Sequence, residues 1–336
     1  MKQMRQETIR RIISLVLLVV LTIIFTLTTD TFLSWDNITS MLREAAFIGI
    51  IAIGITLCII TGGNNLSGGL ALGMVCMVFA HLYHYTSMSL LGIVLVCLAA
   101  GLISGVFNGF VVSVLQINDF IATLSTGMIF QGITYILAVR NQYGSITSEM
   151  IKNPTIQSLG GKFSNGIYYV TIAWLIMTLI AQILLKKTKI GTYIYAMGSK
   201  RTSAEYSGIS FIKIKMTVFI IAGFCSFVGA MFMLGRMGTC DVETGAALSL
   251  QAVSASVIGG AVFSGGRGDM IGTLIGVLFM QVLRNGVLKF NMTTAQQAII
   301  SGIIIVLMLV FDAYYNEFMQ KRATRAAAIA REKEGR

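Results

Sequence analysis

The sequence predicts an all-α polytopic membrane protein with about ten transmembrane helices. Of its 336 residues, 55% are hydrophobic and only 12% are charged, a composition outside the range of soluble globular domains. Apolar runs of about 20 residues, the length that crosses a hydrocarbon core about 30 Å thick, recur along the whole chain. Because no polar domain interrupts them, we expect one transmembrane domain covering residues 1–336.

Ten apolar runs reach the length of a span or nearly do. The first follows a basic N-terminal segment as in a signal peptide, but it continues to Thr29 and lacks a small-residue cleavage site, so we interpret it as a span. In chain order the predicted spans are 11–29, 42–61, 67–85, 89–114, 119–139, 168–186, 212–235, 247–263, 268–288 and 296–314.

Three basic clusters predict the orientation of these spans. Lysine and arginine are enriched in cytoplasmic segments, and the clusters lie before the first span, in the loop 187–211 with its flanks, and in the tail 315–336. With ten spans all three fall on one side, so both termini are expected in the cytoplasm and 140–167 outside. The net charge of +11 is thus explained by topology rather than by nucleic-acid binding.

Two glycine-rich segments interrupt apolar runs at junctions between spans. We name Thr61 to Gly69 (TGGNNLSGG) the first break and Gly259 to Gly268 (GGAVFSGGRG) the second break. Each should end a helix, and exposed backbone of this kind is tolerated in a membrane where it lines a cavity. We predict inverted repeats in which spans 2–5 are related to spans 7–10, because an offset of five spans, an odd number, reverses the direction of each span. The expected helix-breaking residues are Gly62, Gly63, Gly259, Gly260, Gly265, Gly266 and Gly268.

One long polar interval on the predicted cytoplasmic side runs from Gly191 to Lys215. Ser199 is expected to cap a helix of about eight residues, with Thr202 and Glu205 at capping-box spacing and Gly208 ending the turn. A short capped helix at the membrane surface is suited to binding a partner. The alternative is a solvated basic loop that only fixes topology.

Few polar side chains lie within the spans, where they are costly and tend to face a cavity or another helix. The candidates to line a route for a hydroxyl-rich solute are Asn64, Asn65, Ser67, Asn108, Asp119, Thr123, Gln131, Gln251, Ser254 and Ser256. The alternative for each is a bond to its own helix or a tie between neighbouring helices. Membrane-embedded pairs of Asp, Glu or Arg are nearly absent, which argues against a proton relay.

The sequence lacks the motifs for ATP hydrolysis and for metal binding. There is no GxxxxGK[ST] phosphate loop, so the chain is not expected to hydrolyse ATP. The two histidines, His81 and His84, have the spacing of one helix face but no further ligands nearby for zinc, so polar capping of an outer span end is the preferred interpretation. The five cysteines contain no CxxC and are interpreted as packing residues. We expect neither an enzyme nor a metal site.

A resemblance to a known family runs through residues 40 to 315. The pattern IGxxIYAxGSxxxxAxxSGI, which covers Ile190 to Ile209, resembles the cytoplasmic coupling loop of ribose-type ABC importer permeases. Three more stretches are similar to further segments of that family: VSASVIGGAVFSGGRGDMIGTLIGVLFMQVLRNG, TGGNNLSGG and NGFVVSVLQINDFIATLSTG. The matching residues of the coupling loop are Gly191, Ala196, Gly198, Ser199, Ala204, Glu205, Ser207 and Gly208.

This resemblance implies a type II ABC importer permease fold in a bacterial cytoplasmic membrane. It also implies partners: a second permease subunit, a cytoplasmic ATPase that holds ATP and Mg²⁺, and an external sugar-binding protein. The solute would be a monosaccharide such as a pentose, a hexose or a small polyol. Asn65, Asp119 and Gln131 depart from the family's usual acidic residue, proline and arginine, which leaves the particular sugar open. The alternatives from other classes are a stand-alone carrier or channel and a membrane scaffold.

Overall fold

The computed structural model of the chain is almost entirely helical. It describes residues 2–29, 31–138, 149–151, 153–289 and six single positions between 296 and 310. Within this part the helices are α1 (Lys2–Thr28), α2 (Trp35–Ile60), α3 (Gly68–Tyr85), α4 (Leu90–Ser113), α5 (Asp119–Leu137), α6 (Pro154–Leu159), α7 (Tyr169–Lys187), α8 (Lys189–Ser199), α9 (Arg201–Tyr206), α10 (Phe211–Met237), α11 (Leu248–Ile258) and α12 (Met270–Lys289).

Seven of the described helices are long and apolar enough to cross a membrane: α2, α3, α4, α5, α7, α10 and α12. Each coincides with a predicted span, so the helical membrane fold is confirmed. In α1 the apolar part is the shorter stretch Ser14–Thr28. The predicted tenth span, 296–314, and the basic tail 315–336 lie outside the continuously described residues, so the inverted repeat stays a prediction.

The predicted eighth span, 247–263, is wrong in length. Its helix, α11, has 11 residues and is about 16 Å long, roughly half of the hydrocarbon thickness. The chain leaves the helix at Gly259, and Gly260 has φ of +99°, a left-handed conformation that stops an α-helix. The apolar residues Ala261, Val262 and Phe263 that follow belong to the second break rather than to a helix.

The centre of the bundle is formed by α2 and α10. Almost all of α2 from Ala45 to Ile60 is buried, and α10 packs mainly against α4, α2 and α3. Helix backbones approach closely here: a Cβ added to Gly223 of α10 would overlap the carbonyl oxygen of Gly101 on α4. Small residues permit this close packing, which provides much of the attraction between helices in lipid.

The segment between α5 and α7, which belongs to the predicted external loop 140–167, contains the short helix α6. Asn153 accepts hydrogen bonds from the amides of Thr155 and Ile156, and Pro154 stands at the first helical position of α6, a favourable N-terminal combination. Before it, β1 (Glu149–Met150) pairs antiparallel with β2 (Thr239–Cys240). This two-residue pair ties the segment to the end of α10.

The chain divides by its contacts into two compact units, Met1–Asn285 and Gly286–Arg336. The second unit lies mostly outside the described residues, and the expectation of a single domain over 1–336 therefore stays a prediction.

Candidate functional site

The two breaks lie between helices, as the glycine pattern predicts. The first break connects α2, which ends at Ile60, to α3, which begins at Gly68. The second connects α11 to α12. The backbone is left-handed at Gly62, Gly260, Gly265, Gly266 and Gly268, whose φ values lie between +71° and +127°. Residues with a Cβ rarely adopt this conformation, which explains why glycine occupies these positions.

A buried network of polar side chains joins the first break to α4 and α5. The Oδ1 atom of Asn65 accepts hydrogen bonds from the amide of Ser67 at 3.1 Å and from its hydroxyl at 2.8 Å. The same hydroxyl accepts a bond of 2.8 Å from Nδ2 of Asn108 on α4. Thr126 of α5 in turn donates to Oδ1 of Asn108. Three elements are therefore connected through a continuous chain of hydrogen bonds.

Two further candidates hold the backbone of the same break. The amide of Leu66 donates to Oγ1 of Thr123 at 3.1 Å, and the amide of Asn65 donates to Oδ1 of Asn64 at 2.8 Å. All of these polar side chains are buried, and Asn65 is only 2% exposed. In this conformation five of the candidate pathway residues bind each other or the break: Asn64, Asn65, Ser67, Asn108 and Thr123.

The other pathway candidates lie elsewhere. Gln131 of α5 donates to the carbonyl oxygen of Val242 at 2.6 Å, and Gln251 of α11 accepts a long bond of 3.4 Å from Arg284. Ser254 bonds to the carbonyl oxygen of Leu250 in its own helix. Ser256 accepts a bond of 2.9 Å from Thr56, which lies 2.8 Å from Thr273. The last three hydroxyls form a second buried cluster, which joins α2, α11 and α12.

An ion pair that was not predicted from the sequence lies beside the first break. Nζ of Lys215 on α10 lies 2.6 Å from Oδ2 of Asp119, the first residue of α5. Lys215 is 2% exposed, so it is buried although it belongs to the polar interval Gly191 to Lys215 of the sequence. A Cβ on Gly63 would overlap the Asp119 carboxylate, which places the pair directly against the first break.

This pair could have been found from the sequence. Asp119 and Lys215 stand near the starts of predicted spans 5 and 7, which begin on the same side of the membrane. Two opposite charges at the same membrane depth are each other's best partners, since a single buried charge is costly. The positive-inside rule uses only the number of lysines and arginines in a segment, so it does not separate a lysine that pairs with a carboxylate from one that is exposed.

The predicted coupling loop forms two helices, α8 and α9, instead of one. Ser199 is not an N-cap: it is the last residue of α8, and its hydroxyl donates to the carbonyl oxygen of Tyr195 at 2.9 Å. The reason is that Thr188 caps an earlier helix by accepting from the amide of Gly191. Lys200 precedes α9 without a side-chain cap, and Gly208 follows with φ of +81°.

The exposed side of α9 is accessible to a partner. Glu205, which sequence reasoning places in a capping box, instead accepts a 3.0 Å bond from Nε of Arg201. The Arg201 guanidinium lies 3.7 Å from the centroid of the Phe211 ring. Tyr206, the last residue of α9, is 94% exposed. Of the predicted loop residues, Ala204 is buried, as are Gly191 and Gly198 of α8.

The histidines and cysteines have packing roles among the described residues. Nδ1 of His81 lies 2.9 Å from the carbonyl oxygen of Leu137 at the end of α5, in agreement with polar capping. The five cysteines are free thiols and all are buried. In the part of the chain that the structure describes, no group of three or more His, Cys, Asp or Glu residues is arranged to hold a metal ion.

Comparison with known proteins places these features in a family. Residues 37–309 match the family model described as "Branched-chain amino acid transport system / permease component". The chain is 31% identical over 302 residues to the ribose import permease protein RbsC of Haemophilus influenzae, covering 90% of this chain and 92% of the relative. It is 32% identical to the RbsC protein of Bacillus subtilis, covering 88% and 90%.

Two more similarities extend the comparison. The galactose/methyl galactoside import permease protein MglC of Haemophilus influenzae is 31% identical over 305 residues, which cover 84% of this chain and 88% of the relative. Among solved structures, an ABC transporter of the metal-chelate type in an inward-facing conformation matches with a TM-score of 0.51 and 16% identity, covering 90% of this chain and 99% of that one. At this identity the likeness shows the fold alone.

Proposed function

This chain belongs to the family of permease components of branched-chain amino acid transport systems, and we propose that it is the membrane-spanning permease of an ATP-driven importer of monosaccharides. Relatives that it matches over most of their length are import permeases for ribose and for galactose or methyl galactoside. A pentose or hexose is therefore the proposed solute class.

The observation that carries this proposal is the position of α8 and α9. A stand-alone carrier has no need of a separate helix pair at the membrane surface, whereas an importer driven by another subunit requires a contact through which force enters. The exposed face of α9 carries Tyr206, and aromatic side chains of this kind often dominate the energy of an interface. The inner face of α8 contacts both breaks, through Gly198 and Tyr195.

We propose the following assembly for this chain. It pairs with a second permease subunit, binds a cytoplasmic ATPase through the α8–α9 region and receives solute from an external sugar-binding protein. ATP and Mg²⁺ bind the ATPase and this chain carries no cofactor. Both termini and α9 lie in the cytoplasm of a bacterium, because the basic clusters of the sequence flank these segments.

The orientation and the ATPase contact can be tested with one exposed thiol. All five native cysteines are buried, so a Tyr206→Cys variant presents a new accessible thiol. We expect a membrane-impermeant maleimide to label it in inside-out vesicles but not in intact cells, and we expect bound ATPase to reduce the labelling rate at least about tenfold because the site becomes covered.

The matched control is Phe163→Cys, in the segment proposed to lie outside, where the side chain is also exposed. It should be labelled in intact cells and be unaffected by the ATPase. Labelling of the Tyr206→Cys variant from outside would refute the topology. Unchanged labelling in the presence of the ATPase would remove α9 from the contact.

We also propose that the polar network at the first break lines the solute route in a conformation in which the break opens. Amides and hydroxyls that bind each other here can exchange those bonds for bonds to a sugar without leaving a charge buried. Alternating access requires two conformations whose populations partner binding and ATP can reverse, and neutral hydrogen bonds are weak enough to be exchanged.

Asn65→Leu tests this route. The change removes the acceptor used by the Ser67 amide and hydroxyl. The free energy of unfolding should therefore fall by about 1–3 kcal/mol, the cost of leaving buried polar groups unpaired. Uptake at saturating solute should also fall when it is normalised to folded protein, while the affinity of the binding protein stays unchanged. Asn65→Asp keeps an oxygen at Oδ1 but places an ionisable carboxyl in a buried site, so it tests whether the route needs a neutral amide. Normalised uptake equal to wild type in the Leu variant would restrict Asn65 to tying helices together.

A further inference from the structure

The two breaks touch each other at the end of α2. The amide of Gly266 in the second break donates a hydrogen bond of 2.8 Å to the carbonyl oxygen of Ile60, the last residue of α2. This carbonyl is one of those that a helix end leaves without an intrahelical partner. The second break therefore completes the end of the helix from which the first break begins, over a separation of about 200 residues in sequence.

The backbone at the end of α8 packs closely against this contact. A Cβ on Gly198 would overlap the carbonyl oxygen of Ile60 and would lie 2.5 Å from the Gly266 nitrogen. A Cβ on Gly265 would lie 2.6 Å from the carbonyl oxygen of Gly198 and 2.7 Å from the nitrogen of Gly62. We name Gly62, Gly198, Gly265 and Gly266 the glycine junction, because in it the backbones of α8 and both breaks approach one another too closely for a Cβ.

A side chain of α8 adds a directed bond to the second break. The hydroxyl of Tyr195, three residues before Gly198, donates to the carbonyl oxygen of Gly268 at 2.7 Å. Nζ of Lys186 lies 5.0 Å from the centroid of the Tyr195 ring. Gly268 has φ of +127° and stands two residues before the start of α12. Tyr195 thus connects α8 to the backbone from which α12 begins.

Helix α9 follows α8 with only Lys200 between them. A displacement of α9 consequently reaches the glycine junction over a very short stretch of chain. Backbone groups in direct contact cannot yield as flexible side chains do, and closely packed regions respond to a push by moving together or by repacking. A displacement of α9 can reach the second break only if the contact between α8 and the second break stays intact.

We propose that Tyr195 is a positioning residue that couples ATP hydrolysis to solute movement by holding α8 to the second break, so that displacement of α9 moves both breaks together at the glycine junction. This inference rests on the proposed import function. It assigns to the Tyr195 hydroxyl a role distinct from assembly, because the residue lies on the side of α8 that faces the breaks rather than on the exposed face of α9.

The test compares Tyr195→Phe with Tyr193→Phe. Both variants lose one phenolic hydroxyl from α8, but only the first loses the bond to Gly268. The tagged chain is purified with its bound partners, reconstituted into liposomes, and assayed with radiolabelled D-ribose and D-galactose. We expect the number of sugars moved per ATP hydrolysed to fall about two- to tenfold in Tyr195→Phe, the range that corresponds to one hydrogen bond, and to match wild type in Tyr193→Phe.

A second variant challenges the junction itself. Gly198→Ala introduces a Cβ that overlaps the Ile60 carbonyl, so α8 must shift away from the breaks. We expect it to retain the bound ATPase through α9 and also to move fewer sugars per ATP. An unchanged ratio in Tyr195→Phe overturns the inference, and so does a loss of thermal stability without a change in the ratio, since that would show a structural role alone.

Failure of the inference is distinguishable from failure of the proposed function. If the wild-type complex moves neither sugar on ATP, the import function is wrong for this solute class and the inference falls with it. If wild type moves sugar and Tyr195→Phe does so with the same yield per ATP, only the role of Tyr195 is refuted.

Discussion

Lys215→Met should lower the free energy of unfolding by about 3 kcal/mol, the lower end of the cost of removing one partner from a buried ion pair, because the Asp119 side chain keeps 18% of its surface exposed. In the wild-type protein Oδ2 of Asp119 lies 2.6 Å from Nζ of Lys215. The variant removes this cationic partner and leaves the Asp119 carboxylate beside Gly63. Methionine fills most of the space of the lysine stem, so the loss reports the charge rather than a cavity. Thermal unfolding of the purified protein in detergent measures it.

A double variant separates the charge from the packing. Replacing both members of a buried pair by apolar residues is often neutral, and Asp119 is the first residue of α5, a position that suits proline. We expect Asp119→Pro combined with Lys215→Met to recover most of the lost stability. Lys213→Met, at an exposed lysine two residues away, is the matched control. A Lys215→Met protein as stable as Lys213→Met would contradict the assignment of the ion pair.

The membrane spans could be predicted closely because length and apolarity are nearly sufficient to define them. The predicted fourth span, 89–114, is the helix Leu90–Ser113, and the predicted sixth, 168–186, is Tyr169–Lys187. In lipid a continuous helix is the simplest way to satisfy every backbone group. Long apolar runs therefore have few alternatives, and the polar residues at their ends determine where they stop.

The half-length helix α11 could not be predicted from hydropathy. Ala261, Val262 and Phe263 continue the apolar run through the second break, so a sliding window cannot see that the helix ends at Ile258. The helix ends because the backbone adopts a left-handed conformation. Glycine allows this conformation, but its presence in a sequence does not show that the conformation is adopted. The glycine pattern indicates a break, but the closing contact to Ile60 comes from a residue distant in sequence.

The polar residues near the first break can be picked out of the sequence, but the hydrogen bonds between them cannot. Asn65, Ser67 and Asn108 were identified as polar residues in apolar surroundings, yet the sequence does not say that they bind one another. The contact of Gly198 with both breaks depends on three segments that are far apart along the chain. Such contacts require the tertiary fold, because each glycine alone fits many local structures.

The central claim is that this chain imports a monosaccharide only when another subunit hydrolyses ATP. The complex purified through a tag on this chain is reconstituted into liposomes with the sugar-binding protein on one face and ATP on the face of α9. We expect labelled D-ribose or D-galactose to accumulate with ATP and to fall to the level of empty liposomes with a non-hydrolysable analogue. Accumulation or equilibration of the sugar without ATP, or driven by an ion gradient, would contradict the claim and favour a stand-alone carrier or channel.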